Sequence, residues 1–502
     1  MDERVIDSET NDKASGGEAG LRPHQKVGLV LGVVLAIAIQ LAPATESLPR
    51  SALVVASLLA LMASWWVTEA IPIPMTSLLP LVILPTSGVA TMKDAAAPFA
   101  SPIVLLLMGG FIIAKSVERW NLHARIALSI VLRAGSHPAA LVGGFMAAAA
   151  ILSMWISNTA TTIMLTPIAI SVSRAVLGAK APSAPFTIAL LLGIAYGASI
   201  GGLGTPVGTP TNLIVIGYLE NEAGRTISFA QWMQIGLPTV LIMLPAAWFV
   251  LTRLAFKLRA ESGVEGRDVV ARQLAALGPM TTPEKRVLLV FALIAASWIF
   301  RRPLNGLEIA GATPFAGVTD HVIAIAGAIA MFLTPSGSMK ERGAMLLDWE
   351  QGSQIPWGVL LLFGGGLSLA AAISASGLAA WLGGQMAGLT EAPLFVIMLA
   401  LVAFVIFSTE LTSNVATASA LLPVIGAIAV AGDADPLILA VPVAMAASCA
   451  FMLPMATGPN AIVFASGEVT IAQMAKAGVR LNLAGVVLIT LAVTALTPLI
   501  FG

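Results

Sequence analysis

Apolar stretches long enough to cross about 30 Å of hydrocarbon recur along this chain. They occupy 27–42, 51–67, 138–156, 186–202, 235–252, 287–300, 321–333, 394–408, 436–453 and 480–500. With their neighbours they predict an all-α polytopic membrane protein of about eleven transmembrane helices, since lipid tolerates only segments that satisfy their own backbone hydrogen bonds. Several stretches are short or interrupted by Gly and Pro, a pattern expected of re-entrant and discontinuous helices.

The polar positions divide the chain. Residues 1–26 carry ten charges and no apolar core, as a solvated tail would and a signal peptide would not. A second polar stretch, 253–286, contains Arg253, Lys257, Arg259, Arg267, Arg272, Lys285 and Arg286. The positive-inside rule puts both on the cytoplasmic side. The expected organisation is a tail (1–26), N-terminal helices with a first repeat (27–252), a basic linker (253–286) and a second repeat (287–502). Of the 502 residues 58% are hydrophobic and 10% charged, against roughly a quarter charged in soluble domains, which points to a multi-pass inner-membrane protein. Zero net charge argues against a nucleic-acid partner. Cys449 is the single cysteine, so no internal disulfide forms, and His24, His123, His137 and His321 are too scattered to suggest a metal site.

Three landmarks occur twice in the same order. Leu105-Leu-Leu-Met-Gly-Gly-Phe returns 255 residues later as Leu360-Leu-Leu-Phe-Gly-Gly-Gly. Ser157-Asn158-Thr159-Ala160-Thr161 returns 256 residues later as Ser413-Asn414-Val415-Ala416-Thr417. The segment from Pro206 to Asn212 returns 248 residues later between Pro454 and Asn460. An odd number of spans per half makes such repeats inverted in the membrane, with a site at their interface. Each repeat is expected to hold one re-entrant hairpin and one discontinuous helix.

Ser, Asn and Thr inside apolar segments need partners, because an unpaired amide there costs several kcal/mol. Interhelical bonding satisfies one such motif. Two at related positions, each followed by a break rich in Gly and Pro, favour a binding site. Between Ile200 and Asn212 the chain is too rich in Gly and Pro for a continuous helix. The freed carbonyls suit cations, and the freed amides at the next helix start suit anions. No charged residue lies between 152 and 173, 181 and 219, 411 and 432, or 436 and 467. Amides, hydroxyls, helix ends and bound sodium must then supply the positive field, which couples anion and cation binding.

These motifs, with Trp65-Trp66-Val-Thr-Glu69-Ala-Ile-Pro72-Ile-Pro74 and the string from Ser448 to Phe464, resemble those of the divalent anion:sodium symporters. The resemblance covers nearly the whole chain after residue 50. It implies co-transport of sodium with a small dicarboxylate, no organic cofactor, a homodimer in membrane lipid and elevator-type alternating access. Carried over, it puts one sodium on Ser153, Ser157, Asn158 and Gly208, and another on Thr409, Asn414 and Ala456. Substrate carboxylates are expected at Asn158, Thr159, Ser413, Asn414 and Thr457. Two departures line the same expected pocket: Val415, where relatives carry threonine, and Gly458, where proline is common.

Glu410 precedes the second motif and has two readings, as an electrostatic neighbour of a cation site or a hydrogen-bonding group at a helix end. Glu69 reads as an interfacial or capping carboxylate. Lys115, Glu118, Arg119, His123 and Arg125 are expected after the first hairpin, at its cytoplasmic mouth. A sodium-independent exchanger, a citrate or sulfate carrier, and a channel or pump subunit are the competing transport readings. An enzyme would need a nucleophile–base pair or an intramembrane metal motif, and neither is found in the sequence.

Overall fold

Backbone polar groups cannot face lipid unpaired, and the chain meets that demand with helices. The computed structural model describes residues 22–258, 264–385, 393–431 and 434–501. Residues 1–21 of the acidic and basic tail lie outside them. Among the described residues eight helices are long and apolar enough to cross a membrane, and six further apolar helices have 10–17 residues. All ten apolar stretches fall on helices, with shifted ends. The first helix, Pro23–Gln40, starts inside the polar tail, because Pro23 pre-sets its first turn. The stretch 138–156 stops at Ser153, and 436–453 stops at Ala447. The last helix extends back to Ile471. Within the basic stretch, Val264–Ala276 and the start of Thr282–Ile299 are helical, so it is not a plain linker.

Both halves carry the same order of elements. In the first, Pro102–Arg119 precedes the pair Pro138–Ser153 and Asn158–Leu177, then the broken helix Pro185–Gly201 and Pro210–Glu222, then Phe229–Phe249. In the second, Trp357–Ala375 precedes Leu394–Thr409 and Asn414–Ala431, then Pro436–Ala447 and Gly458–Ala465, then Ile471–Phe501. The repeated Gly-Gly pair serves close packing: a Cβ on Gly109 would fall 2.8 Å from the Ala324 carbonyl, and one on Gly365 would fall 2.2 Å from that of Ser77.

Gly193 packs on Met146 and Gly201 on Ala150, so Pro138–Ser153 and Pro185–Gly201 run parallel. Ser173 meets Thr187 at 2.5 Å, so Asn158–Leu177 runs back against them. The segment 138–177 is therefore the first hairpin, and Met154–Ser157 is its tip. This corrects the expected position of the charges from Lys115 to Arg125, which precede the hairpin. Two of them hold distant segments together: Arg119 pairs with Glu341 at 3.0 Å and Asp348 at 2.8 Å, and Arg125 with Glu284 at 2.7 Å. Glu69 is the left-handed cap of Arg50–Thr68, at φ 48°.

The same hydrogen bonds hold both breaks. The Asn212 amide donates to the carbonyls of Gly202 at 2.9 Å and Thr205 at 2.8 Å. The Asn460 amide donates to those of Ala450 at 3.1 Å and Leu453 at 3.0 Å, 248 residues on in each case. A buried carbonyl deprived of its donor costs about 1–3 kcal/mol. Asn212→Ala and Asn460→Ala should each lower the melting temperature of the purified protein by several degrees, while Met339→Ala, at a residue 91% exposed, should not. Unchanged melting of both Asn variants would contradict this role.

Candidate functional site

Helices interrupted within a membrane expose new ends, and here four such ends meet. Asn158–Leu177, Pro210–Glu222, Asn414–Ala431 and Gly458–Ala465 all begin at one cavity of about 1020 Å³. Ser157, Thr209, Ser413 and Thr457 immediately precede these helices and line it. The Thr457 hydroxyl accepts from the Asn460 N–H at 3.1 Å. Each helix start carries first-turn N–H groups without an intrahelical acceptor and the positive end of the helix dipole. Tips and breaks contribute no charged residue to the lining. The charged side chains there are Arg22, Glu69, Lys115 and Glu118, from elsewhere in the chain, and Lys115 pairs with Glu118 at 2.8 Å. The arrangement can hold an anion without a buried basic residue.

Of the sequence-derived candidates, Ser157, Asn158, Thr159, Gly208, Ser413, Asn414, Val415, Ala456, Thr457 and Gly458 line the cavity together. Ser153 and Thr409 do not; both are fully buried directly behind the tips. Ser153 Oγ and Asn158 Oδ1 are buried without a hydrogen-bond partner. The Ser153 carbonyl lies 3.0 Å from where a Cβ on Gly208 would sit, and Asn158 Oδ1 lies 3.1 Å from the corresponding point on Gly202. Gly204, in the same break, instead faces Met154. In the second half Thr409 Oγ1 approaches Asn414 Oδ1 at 2.8 Å and the Ala447 carbonyl at 3.0 Å. Orphaned hydroxyl and amide oxygens beside unwound backbone form the type of donor set that receives a sodium ion as cargo.

The two halves interlock across the cavity. A Cβ on Gly458 would fall 2.4 Å from Thr159 Oγ1, so glycine at 458 leaves room for that hydroxyl. Tyr196 donates to the Phe451 carbonyl at 2.7 Å, and Thr211 meets Ser448 at 2.6 Å. Thr159 and its repeat counterpart Val415 both reach the cavity, which makes one side richer in hydroxyl than the other.

Some contributors escaped the sequence reading. Asn212 and Asn460 were visible as a repeat match, but their carbonyl partners depend on the folded break. Tyr196 sits in an apolar helix with no local signal of its partner 255 residues away. Gln354 lines the cavity from the short connection before Trp357–Ala375, a segment that carries no motif.

Residues 24–501 match the sequence profile of the sodium:sulfate symporter transmembrane region. The chain is 42% identical over 484 residues to the sodium-dependent dicarboxylate transporter SdcS of Staphylococcus saprophyticus, covering 95% of this chain and 92% of that one. It is 39% identical over 485 residues to SdcS of Staphylococcus aureus strain MRSA252, at the same coverage. Its fold is similar to that of the YdaH transporter of Alcanivorax borkumensis, with a TM-score of 0.58, 14% identity, and coverage of 95% of this chain and 97% of that one. With its profile matched almost from end to end, the chain belongs to the divalent anion:sodium symporters, the family of the sodium:sulfate symporter transmembrane region.

Proposed function

We propose that this protein is a secondary transporter that carries small C4 dicarboxylates, such as succinate, malate and fumarate, together with sodium across the inner membrane. The carrying observation is the convergence of four helix starts on one cavity whose tips and breaks hold no Lys or Arg. A dianion there needs cations to complete its electrostatics, so binding of the two is linked. The 42% identity to a sodium-dependent dicarboxylate transporter supports the same reading.

In this account one sodium is held by Ser153, Ser157, Asn158 and Gly208, and a second by Thr409, Asn414 and Ala456. The substrate carboxylates meet Asn158, Thr159, Ser413, Asn414 and Thr457, with Val415 and Gly458 shaping the pocket. The first repeat, which follows the N-terminal helices within 27–252, and the second, 287–502, are inverted in the membrane. The cross-repeat bonds Tyr196–Phe451 and Thr211–Ser448 make tips and breaks one body. That body moves as an elevator within a homodimer, against helices such as Arg50–Thr68 and Pro102–Arg119, which line the other wall of the cavity.

Proteoliposomes containing the protein should take up labelled succinate when an inward sodium gradient is imposed, and not under a potassium or proton gradient alone. Equal uptake under all three gradients would replace symport by sodium-independent exchange.

Val415→Thr adds a hydroxyl to the pocket wall opposite Thr159. A hydroxyl is worth on the order of 1 kcal/mol when it finds a carboxylate oxygen and costs about as much when it does not. The half-inhibition values of unlabelled succinate, malate and citrate against labelled succinate should therefore shift several-fold relative to one another. Unchanged values would put residue 415 outside the contact surface.

A further inference from the structure

Another cavity, of about 690 Å³, lies at the base of the first hairpin and shares no residue with the one at the hairpin tips. Sites that enclose a small molecule have volumes of roughly 300–1,000 Å³. The hairpin's second helix gives it Val176 and Leu177, the start of Pro185–Gly201 gives Phe186, and the chain just beyond the helix 229–255 gives Leu258. The rest of the described lining is apolar as well, except for Lys180 and Lys257, which are both exposed. Lys257 belongs to the basic stretch that the positive-inside rule sets at the cytoplasmic boundary.

The segments that frame this cavity carry charge of one sign. From 138 to 186 the charged residues are Arg174 and Lys180, from 229 to 258 they are Arg253 and Lys257, and neither segment holds an Asp or Glu. Among the described residues none of these four enters an ion pair. The helix Val264–Ala276 packs nearby, with Gly266 on Val176, but its exposed Glu265 and Asp268 lie outside the lining and are offset by Arg267 and Arg272. Two ammonium groups at one apolar cavity, with no carboxylate in the lining, repel each other until an anion lies between them.

The apolar surface says which anion. On the helix that leads to Lys257, Ile242 and Phe249 are 48% and 50% exposed and stand seven residues apart, so they share one face. Exposed Arg253 follows on the next turn. A soluble phosphate gains nothing from apolar walls, whereas acyl chains bury against them. We propose that this cavity binds an anionic phospholipid of the cytoplasmic leaflet, its phosphate between Lys180 and Lys257 and its acyl chains along the apolar lining and the stripe of Ile242 and Phe249. The lipid bridges the hairpin base, the start of Pro185–Gly201 and the end of the helix 229–255, and so stabilises the folded protein. The site is independent of sodium and of the transported anion.

The test titrates the purified protein, in an uncharged detergent, with phosphatidylglycerol, phosphatidylcholine, glycerol 3-phosphate or inorganic phosphate and follows the melting temperature, which a ligand of the folded state raises with its concentration. Phosphatidylglycerol should stabilise the native protein at a lower concentration than phosphatidylcholine, and the two soluble phosphates should not stabilise it over the same range. The double variant Lys180→Gln with Lys257→Gln should raise the half-stabilising phosphatidylglycerol concentration about tenfold or more. Lys340→Gln with Arg342→Gln removes the same charge from exposed residues outside the cavity and should stay within about twofold of native. Equal stabilisation by the two lipids would overturn the proposal, as would a native response of the double lysine variant or an equal loss in the control pair. Stabilisation by either soluble phosphate at the concentration effective for phosphatidylglycerol would make this a soluble-anion site and would also overturn it. If the double variant does not fold, Lys180→Gln and Lys257→Gln decide singly; each should raise the half-stabilising concentration several-fold, and native values in both would overturn the proposal.

Discussion

An anion placed among membrane helices must exchange its hydration shell for something equally favourable, and an isolated charge in an apolar medium costs roughly tens of kcal/mol before compensation. Proteins often meet this cost with a buried Arg or Lys. Here the tips and breaks that face the cavity contain neither. From these elements the anion meets the partial positive charge of four helix starts, the hydroxyls of Ser and Thr, and cations brought from solution. This electrostatic constraint explains why helices that could have crossed the membrane without interruption are broken at equivalent points in both halves.

A broken helix has its own cost, since each freed backbone group must find a partner away from water. Asn212 and Asn460 meet that demand for the carbonyls, and Glu410 meets it for the amides of the second break. The helices behind come close to do so: a Cβ on Gly236 would fall 2.4 Å from the Leu203 carbonyl, and one on Gly478 would fall 2.2 Å from that of Phe451. Breaks held so firmly are preorganised, so little ordering is left to oppose binding. Tyr196 extends the support across the repeats by donating to the Phe451 carbonyl.

Much of this was legible in the chain because the repeat preserves spacing. Ser157 and Ser413, Gly208 and Ala456, and Asn212 and Asn460 pair by simple offset, and each pair occupies corresponding places in the fold. Hydropathy read the ten apolar stretches but blurred their ends, for physical reasons. The end of Pro436–Ala447 is set by Glu410 drawing away the amides of residues 451–453, a contact more than forty residues distant that no local pattern encodes. The tip of the first hairpin was equally hidden, because Met154–Ser157 is as apolar as the helix before it. Gln354 reaches the cavity through packing alone, and Glu410 carried two readings that its four donors decide.

The account stands on reciprocal linkage between sodium and a dicarboxylate at one site. Its most direct test is equilibrium binding of succinate to the purified protein, titrated at rising sodium with choline as the replacement ion. Succinate affinity should rise steeply with sodium and vanish in choline, and succinate should tighten sodium binding by the same factor. Succinate binding of equal strength in sodium and in choline would contradict the claim that transported cations complete the anion's electrostatics.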